Sequence, residues 1–334
     1  MAKVTIRQVA ELAGVSPSTV SRTFHNHPRI SEDTRQRVFE AARELNYRSH
    51  LTATEDSVRS LGIVLPNTSD TLFLQPFFSR VLRGISVFAQ HRGYLTTYAF
   101  AHEDEAKLGF LTSFVESNCI QGIILLSASR HDRAIELLSR AGVPFSVIGR
   151  PENPGDTLWV DNDNFHAMYD VVHRLTDNGA RRIAFIGGPP QLNVTRDRLE
   201  GYRKALENRG LEQHAGLVGY ATEFSESAGY RSMRGILATE LPDAVVATDD
   251  LLGCGALQAL AERRLTLPCV GFNNSSAASH HVPGLSSVEI QPGELGRHAA
   301  RLLIERIEHG VTNENHAIIP THFVPRETTD KVSA

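Results

Sequence analysis

Val4-Thr5-Ile6-Arg7-Gln8-Val9-Ala10-Glu11-Leu12-Ala13-Gly14-Val15-Ser16-Pro17-Ser18-Thr19-Val20-Ser21-Arg22 is the stretch that decides how the N-terminal part of the chain folds. Thr5, Ser16 and Ser31 carry side-chain oxygens that can cap a helix, so we expect helices over residues 6–13, 17–24 and 32–45. Gly14 suits a left-handed turn, and Pro17 suits a first helical position. Two helices joined by so short a turn predict a helix-turn-helix.

The second of these helices has the side chains that a DNA-reading helix needs. Its hydroxyl groups are short enough for close approach to DNA, and Arg22 can reach a guanine edge or a phosphate. Ser and Thr near the start of a helix are more often simple caps. The DNA-binding interpretation therefore depends on their position in a helix-turn-helix. A small core is expected from Val9, Ala10, Val15, Val20, Val38, Ala41 and Leu45.

The charge of the chain is divided unevenly along its length. The 334 residues include 34 Lys+Arg and 38 Asp+Glu, for a net charge of -4, which by itself argues against a nucleic-acid partner. Residues 1–50 contain 8 Lys+Arg and 5 Asp+Glu, hence +3, and the remaining 284 residues therefore carry -7. A basic DNA-binding part and an acidic remainder are expected to have different roles.

The N-terminal stretch resembles the DNA-binding headpiece of the lactose-repressor/galactose-repressor family. Arg29-Ile30-Ser31 and Glu44-Leu45-Asn46-Tyr47 match the third helix of that headpiece. The resemblance implies that Pro17, Ser18 and Arg22 face the bases. It also implies that the DNA backbone is held by Thr5, Ser16, Thr19, Ser21, Asn26 and Arg29.

The segment that follows departs from the family pattern. The resemblance implies a hinge over residues 49–59, where relatives insert a leucine into the minor groove of kinked DNA. Here Thr54 stands where relatives have Arg and Asp56 where they have the inserted Leu, although Leu51 could serve in a shifted register. Two alternatives remain open, a displaced wedge or an ordinary solvated linker.

From Ser60 onward, short apolar runs alternate with amphipathic helical stretches. This alternation predicts parallel sheets covered by helices on both faces, and its length predicts two α/β lobes. Strands are expected at 61–66, 94–100, 122–126, 145–148, 183–186, 244–247 and 270–272, and a helix at 77–91.

The family resemblance extends through this part of the chain. Its motifs include Val160-Asp161-Asn162, Arg198-Leu199-Glu200-Gly201-Tyr202 and Gly271-Phe272-Asn273-Asn274. The implied fold is an all-α helix-turn-helix headpiece (1–48) and an α/β, two-lobed, periplasmic-binding-protein-like effector and dimerisation domain (60–334). The near lobe would comprise about 60–159 and 291–320 and the far lobe about 160–289 and 321–334, with crossovers near Val160, Ile290 and Pro320.

Polar residues at the ends of strands predict a ligand site between the lobes, because parallel sheets bind ligands beyond the carboxyl ends of their strands. Charged and amide side chains discriminate a sugar through paired hydrogen bonds. The polar candidates are Ser127, Arg150, Asn193, Arg198, Asp249, Asn273 and Gln291. The resemblance makes Arg198 the main effector-binding arginine and places Gln291 at a crossover. A helix-capping role for Asp249 is the structural alternative.

Aromatic candidates would stack on the apolar face of a sugar ring. They are Phe224, which aligns with a position that often carries a stacking aromatic in the family, Phe77, and Trp159, the one tryptophan of the chain. Core packing is the alternative for each of them.

An enzyme is the main rival class, because two-lobed α/β clefts also house kinases and hydrolases. The sequence contains no GxxxxGK(S/T), GxSxG or HExxH motif, and Cys119, Cys254 and Cys269 lack the spacing of a zinc site. We therefore expect no catalytic residues, no metal and no cofactor. No apolar stretch approaches the length of a membrane helix or secretory signal, so a cytoplasmic protein without a membrane partner is expected.

The sequence thus predicts a sugar-responsive transcriptional regulator, a repressor, that binds double-stranded operator DNA as a homodimer. The effector is expected to be a mono- or disaccharide, and several motifs resemble the maltose-type and α-glucoside branch of the family. A purine or nucleoside effector in the same architecture is the alternative.

Overall fold

A computed structural model describes residues 5–24, 30–45, 59–65, 75–100, 104–117, 120–311 and 314–330. The chain forms two compact units, Met1–Val58 and Arg59–Ala334. The hinge positions 49–58, which include Leu51 and Asp56, lie outside the described residues, as do Asn26 and Arg29.

The first unit contains three helices, α1 (Ile6–Ala13), α2 (Pro17–Phe24) and α3 (Glu32–Glu44). The predicted helices are confirmed, the third ending one residue earlier than expected. Gly14 ends α1 at φ 65°, a left-handed conformation that glycine adopts without a steric penalty. Val9, Val20 and Val38 are fully buried where the three helices meet, so a small apolar core holds the unit together.

The near lobe is the lobe that follows the headpiece along the chain. All strands of its sheet are parallel, in the order β11-β5-β4-β3-β1-β2. The strands are β1 (Arg59–Leu65), β2 (Tyr94–Phe100), β3 (Gly122–Leu125), β4 (Phe145–Ile148), β5 (Leu158–Asn162) and β11 (His316–Ile319). The helices are α4 (Pro76–His91), α5 (Asp104–Ser117), α6 (Arg133–Ala141) and α12 (Pro292–His309).

The far lobe has a second sheet in the order β12-β10-β9-β8-β6-β7, parallel except for β12. Its strands are β6 (Ile183–Gly187), β7 (Val218–Tyr220), β8 (Ala244–Ala247), β9 (Cys269–Phe272), β10 (Ser286–Glu289) and β12 (His322–Val324). Its helices are α7 (Asn164–Asp177), α8 (Asn193–Asn208), α9 (Glu226–Thr239), α10 (Asp250–Glu262), α11 (Ser276–His280) and α13 (Glu327–Asp330).

The chain passes between the sheets three times. The first passage was expected near Val160, but β5 pairs with β4 through Val160 and with β11 through Asn162, so residues 160–162 belong to the near lobe rather than the far lobe. Asn162 also joins the three passages, because its Nδ2 donates to the carbonyl oxygens of Ile290 at 3.0 Å and Ile319 at 2.9 Å.

Helices α4 and α12 of the near lobe approach each other closely because small residues lie at their contact. A Cβ atom added to Gly84 would lie 2.1 Å from the carbonyl oxygen of Gly293, and one added to Gly296 would lie 2.2 Å from that of Val81. Neither helix, nor any other in the described ranges, is long and apolar enough to cross a membrane.

Replacing Gly84 with Ala should destabilise the second unit by about 1–3 kcal/mol, because the methyl group forces α4 away from α12. Urea unfolding checks this. Gly235→Ala is the control: its added Cβ meets nothing within 4 Å on α9, and alanine should stabilise that helix by about 0.5–1 kcal/mol. An unchanged unfolding midpoint for Gly84→Ala would show that the helices separate without cost.

Candidate functional site

Most of the DNA-facing candidates of the first unit lie on α2 or cap it, and several of them are exposed. Ser16 caps this helix, because its Oγ accepts a hydrogen bond from the Thr19 N–H at 3.1 Å. The same Oγ lies 2.8 Å from Ser18 Oγ and 2.9 Å from Thr19 Oγ1. Pro17, Ser18 and Arg22 are exposed, so the described part of this surface is open to a partner.

Two other positions complete the described set. Thr5 is exposed at the start of α1, where its N–H donates to Gln8 Oε1 at 2.8 Å, and Ser21 is half-buried on α2. Thr19 is also half-buried. Short polar side chains thus surround the one long cationic side chain of α2, Arg22.

A second candidate site lies between the lobes, in a cavity of about 120 Å³ beyond the carboxyl ends of the strands. Six predicted residues line it together: Phe77, Ser127, Arg198, Phe224, Asp249 and Asn273. Five polar residues that were not named as ligands from the sequence join them: Gln75, Asp161, Asn162, Asn164 and Thr248.

Arg198 on α8 is a buried cation held by two oxygen acceptors. Its Nε donates to Asn164 Oδ1 at 2.9 Å and its Nη1 to the Thr248 carbonyl oxygen at 2.6 Å. The guanidinium carbon also lies 4.1 Å from the centre of the Phe272 ring. Burial lowers the pKa of Arg198 to about 10, although Asp161 and Asp249 oppose that shift, so the side chain remains charged at neutral pH.

Asp249 caps a helix and also lines the cavity. Its Oδ1 accepts from the Leu251 N–H at 2.7 Å and caps α10, while its Oδ2 accepts from Asn273 Nδ2 at 2.6 Å at the cavity wall. Burial, and secondarily the neighbouring carboxylate of Asp250, raise the pKa of Asp249 to about 7. The carboxyl group therefore changes its charge near neutral pH.

Asp161 links the first passage between lobes to Arg198. Its carboxylate accepts from the N–H groups of Arg150 at 2.8 Å and Asn162 at 2.7 Å, and from Asn164 Nδ2 at 2.8 Å. Because Asn164 also binds Arg198, these side chains form one continuous hydrogen-bonded chain along the cavity. Burial raises the pKa of Asp161 to about 6, although those N–H groups and the Arg198 charge counteract it.

The cavity also has an aromatic side. The Phe224 ring lies directly against the Gly188 backbone, because a Cβ atom added there would come within 2.2 Å of the ring. Across the cavity, Phe77 contacts Phe78 edge to face, with ring centres 5.1 Å apart. Gln75 Nε2 reaches the Phe224 carbonyl oxygen at 3.4 Å and so connects the near lobe to the far lobe.

Four predicted ligand residues do not line the cavity. Trp159 lies too deep in β5, where its ring stacks on His316 with centres 4.8 Å apart, and Arg150 is exposed outside with its guanidinium carbon 5.8 Å from that ring. Asn193 donates through Nδ2 to the Arg150 carbonyl oxygen at 3.0 Å. Gln291 donates through Nε2 to the Pro320 carbonyl oxygen at 2.8 Å. These contacts lie between residues of the chain and outside the cavity wall.

The overlooked residues differ in how visible they are from the sequence. Thr248 directly follows β8, and Asp161 and Asn162 end β5. The rule that ligands bind at strand ends therefore identifies Thr248 from the sequence, and it identifies Asp161 and Asn162 once β5 is recognised. Asn164 begins the helix after β5. Gln75 precedes α4 and follows no strand, so the same rule gives no signal for it.

Replacing Asp249 with Asn should make stability less dependent on pH. The folded-state pKa of about 7 lies above the ordinary 3.8, so protonation favours folding, and the free energy of unfolding decreases as the pH rises from 3.8 to about 7. The slope is at most about 1.4 kcal/mol per pH unit. Asn has no proton to lose, so the variant should gain stability relative to wild type between about pH 5 and pH 8.

Thermal melts of the ligand-free protein across this pH range measure the effect. Asp132→Asn is the matched control, since Asp132 caps α6 through the Ala134 N–H at 3.0 Å but lies away from the cavity. A difference between Asp249→Asn and wild type that stays constant with pH would contradict the expectation.

Each of the two units matches a family of known proteins. The model for "Bacterial regulatory proteins, lacI family" matches residues 5–50, and that for a "Periplasmic binding protein-like domain" matches residues 172–329. The chain is 35% identical over 315 residues to the HTH-type transcriptional regulator MalR of Streptococcus pneumoniae serotype 4, covering 93% of this chain and 95% of the relative. It is also 35% identical over 339 residues to the HTH-type transcriptional regulator CelR of Thermobifida fusca, covering 97% and 98%.

A solved structure agrees with these matches. The complex of the transcriptional regulator CelR with cellobiose is 32% identical, with a TM-score of 0.76, and the match covers 98% of this chain and 100% of that one. The resemblance inferred from the headpiece motif is thereby confirmed. With a helix-turn-helix unit, a two-lobed α/β unit and full-length relatives at this identity, the chain belongs to the lacI family of bacterial regulatory proteins.

Proposed function

We propose that this regulator represses carbohydrate-utilisation genes and that a small sugar bound between its lobes controls its affinity for operator DNA. The observation that carries the proposal is the wall of the interlobe cavity. Arg198, Asp249 and Asn273 present charged and amide groups there, and Phe224 presents an aromatic ring.

These groups suit the chemistry of a sugar. Each sugar hydroxyl both donates and accepts a hydrogen bond, so carboxylate acceptors beside guanidinium and amide donors match it. The apolar C–H face of the ring can stack on Phe224. The relatives support the same ligand class, since one solved relative is a complex with cellobiose. By this proposal the effector of this regulator is a small sugar such as a disaccharide, since that complex holds the disaccharide cellobiose.

Operator binding is proposed to require a homodimer. One helix-turn-helix contacts few base edges, whereas two copies read both halves of a near-palindromic site. Sugar binding would change operator affinity by favouring one arrangement of the lobes, and operator DNA must then change sugar affinity by the same factor. A regulator of this kind works beside the chromosome, so we place it in the cytoplasm, as a binding protein rather than an enzyme.

Arg22→Ala should weaken binding to operator DNA. The operator duplex for this test is first selected from a randomised library with the full chain. Loss of a base contact costs about 1–3 kcal/mol, which is roughly fivefold to 150-fold in affinity. Gel-shift titration measures it. Arg37→Ala removes the same charge from α3, where Arg37 pairs with Asp33 at 3.4 Å, and should change affinity less. Equal losses of operator affinity in both variants would show that Arg22 contributes its positive charge and no specific base contact.

A thermal-shift screen with maltose, cellobiose, simple monosaccharides and purines tests the effector. A sugar at 100 times its dissociation constant should stabilise the protein by about 2.7 kcal/mol. Arg198→Met should abolish the shift, and Arg203→Met on the exposed face of α8 should not. Asn273→Gly gives a second variant, because glycine tolerates φ 99° while removing the amide. Stabilisation by a purine alone would overturn the sugar proposal.

A further inference from the structure

An ion pair outside the cavity joins the two lobes. Arg80 lies on α4 of the near lobe and Glu289 ends β10 of the far lobe. Nη2 of Arg80 lies 3.2 Å from each carboxylate oxygen of Glu289. Both residues border a separate open groove and neither lines the cavity. An effector in the cavity would therefore not touch this pair.

Arg80 is nevertheless connected to the cavity wall. Its Nη1 donates to the carbonyl oxygen of Asn273 at 3.2 Å, and the side chain of Asn273 binds Asp249 in the cavity. Asn273 thus has its backbone attached to the near lobe and its amide group presented to the effector. A displacement of Arg80 therefore shifts the backbone of Asn273 and, with it, the side-chain amide in the cavity.

Three residues next to the pair adopt left-handed backbone conformations that side chains other than glycine rarely occupy: Asn273 at φ 99°, Asn274 at φ 45° and Gln291 at φ 52°. Glu289 accepts from Asn274 Nδ2 at 3.0 Å and from the Gln291 N–H at 2.6 Å. Together with the bond from Arg80 to Asn273, the pair holds all three. Such conformations persist where surrounding contacts overdetermine them.

The burial of the two partners is unequal. The Glu289 side chain is 10% exposed, whereas that of Arg80 is 41% exposed. A nearly buried carboxylate that loses its cation keeps the cost of desolvation without the attraction that offsets it. Movement of α4 away from β10 breaks this ion pair, so the pair favours the arrangement of the lobes in this structure.

We propose that Arg80 and Glu289 form an interlobe positioning pair that orients Asn273 and sets effector affinity without contacting the effector. The inference rests on the proposed function for the class of effector. The orientation of Asn273 by Arg80 is a property of the ligand-free protein and is testable without a sugar.

The test uses the full chain and the variants Arg80→Gln, Glu289→Gln and the double variant. Calorimetric titration with maltose and with cellobiose measures affinity. Amide hydrogen exchange without ligand follows the N–H groups of Asn273 and Asn274, which donate to Val288 O at 2.8 Å and Ser287 Oγ at 2.9 Å. The matched control is Glu308→Gln, because Glu308 pairs with Arg59 and Arg92 entirely within the near lobe.

Each single variant should weaken sugar binding about fivefold, which corresponds to about 1 kcal/mol, and should accelerate exchange at both amides. The double variant should lose no more than Glu289→Gln alone, since the two residues act together. Arg80→Lys, which keeps the charge, should recover part of the affinity. Glu308→Gln should change neither sugar affinity nor exchange at these amides, whatever it does to the melting temperature.

Unchanged affinity and exchange in Arg80→Gln would overturn the proposal, as would equal effects from Glu308→Gln. If the wild-type chain binds neither maltose nor cellobiose, those two sugars are excluded as effectors, which counts against the proposed function. The exchange rates then decide the positioning role by themselves.

Discussion

The parallel direction of the strands is the constraint on which the effector unit depends. In both sheets the parallel strands end at the edge where the chain passes between lobes, and helices cover the faces. Side chains placed after these strands consequently meet in one cleft, whatever their distance in sequence. Asp249 after β8, Asn273 after β9 and Asp161 in β5 come together for this reason. Asn162 strengthens the arrangement by binding the carbonyl oxygens of both other passages.

Convergence at the strand ends places charge in a buried space. Arg198 offsets the carboxyl groups of Asp161 and Asp249, and its hydrogen bonds to Asn164 and Thr248 compensate for part of its lost hydration. The pKa values of Asp161 and Asp249 stay raised, because the Arg198 charge and the hydrogen bonds only partly offset the burial of the two carboxyl groups. Desolvated polar groups of this kind favour a ligand rich in hydroxyl groups, because each hydroxyl can donate and accept a hydrogen bond.

The elements visible from the sequence are those with strong local signals. The bounds of α1 and α2 follow from the capping residues Thr5 and Ser16, and β4 and β8 are short apolar runs. Strands β5, β7, β10, β11 and β12 were not identified, because each is only three residues long or has a polar residue at one end. Ser286 and Ser287 on β10 are fully buried, since distant partners such as Thr328 and Asp250 satisfy their polar groups. Local pattern contains no information about such partners.

By itself, the sequence determined the helix-turn-helix, the two α/β lobes and part of the polar cavity wall, because capping residues, apolar periodicity and strand ends are local properties. Tertiary structure alone decided which candidates face the cavity. Trp159 lies inside the near lobe, whereas Gln75 reaches the cavity from a position without a sequence signal. It also brought Arg80 and Glu289 together across 209 positions of the chain. The pairing of Arg80 with Glu289 depends on the distance between the two sheets, and long-range packing sets that distance.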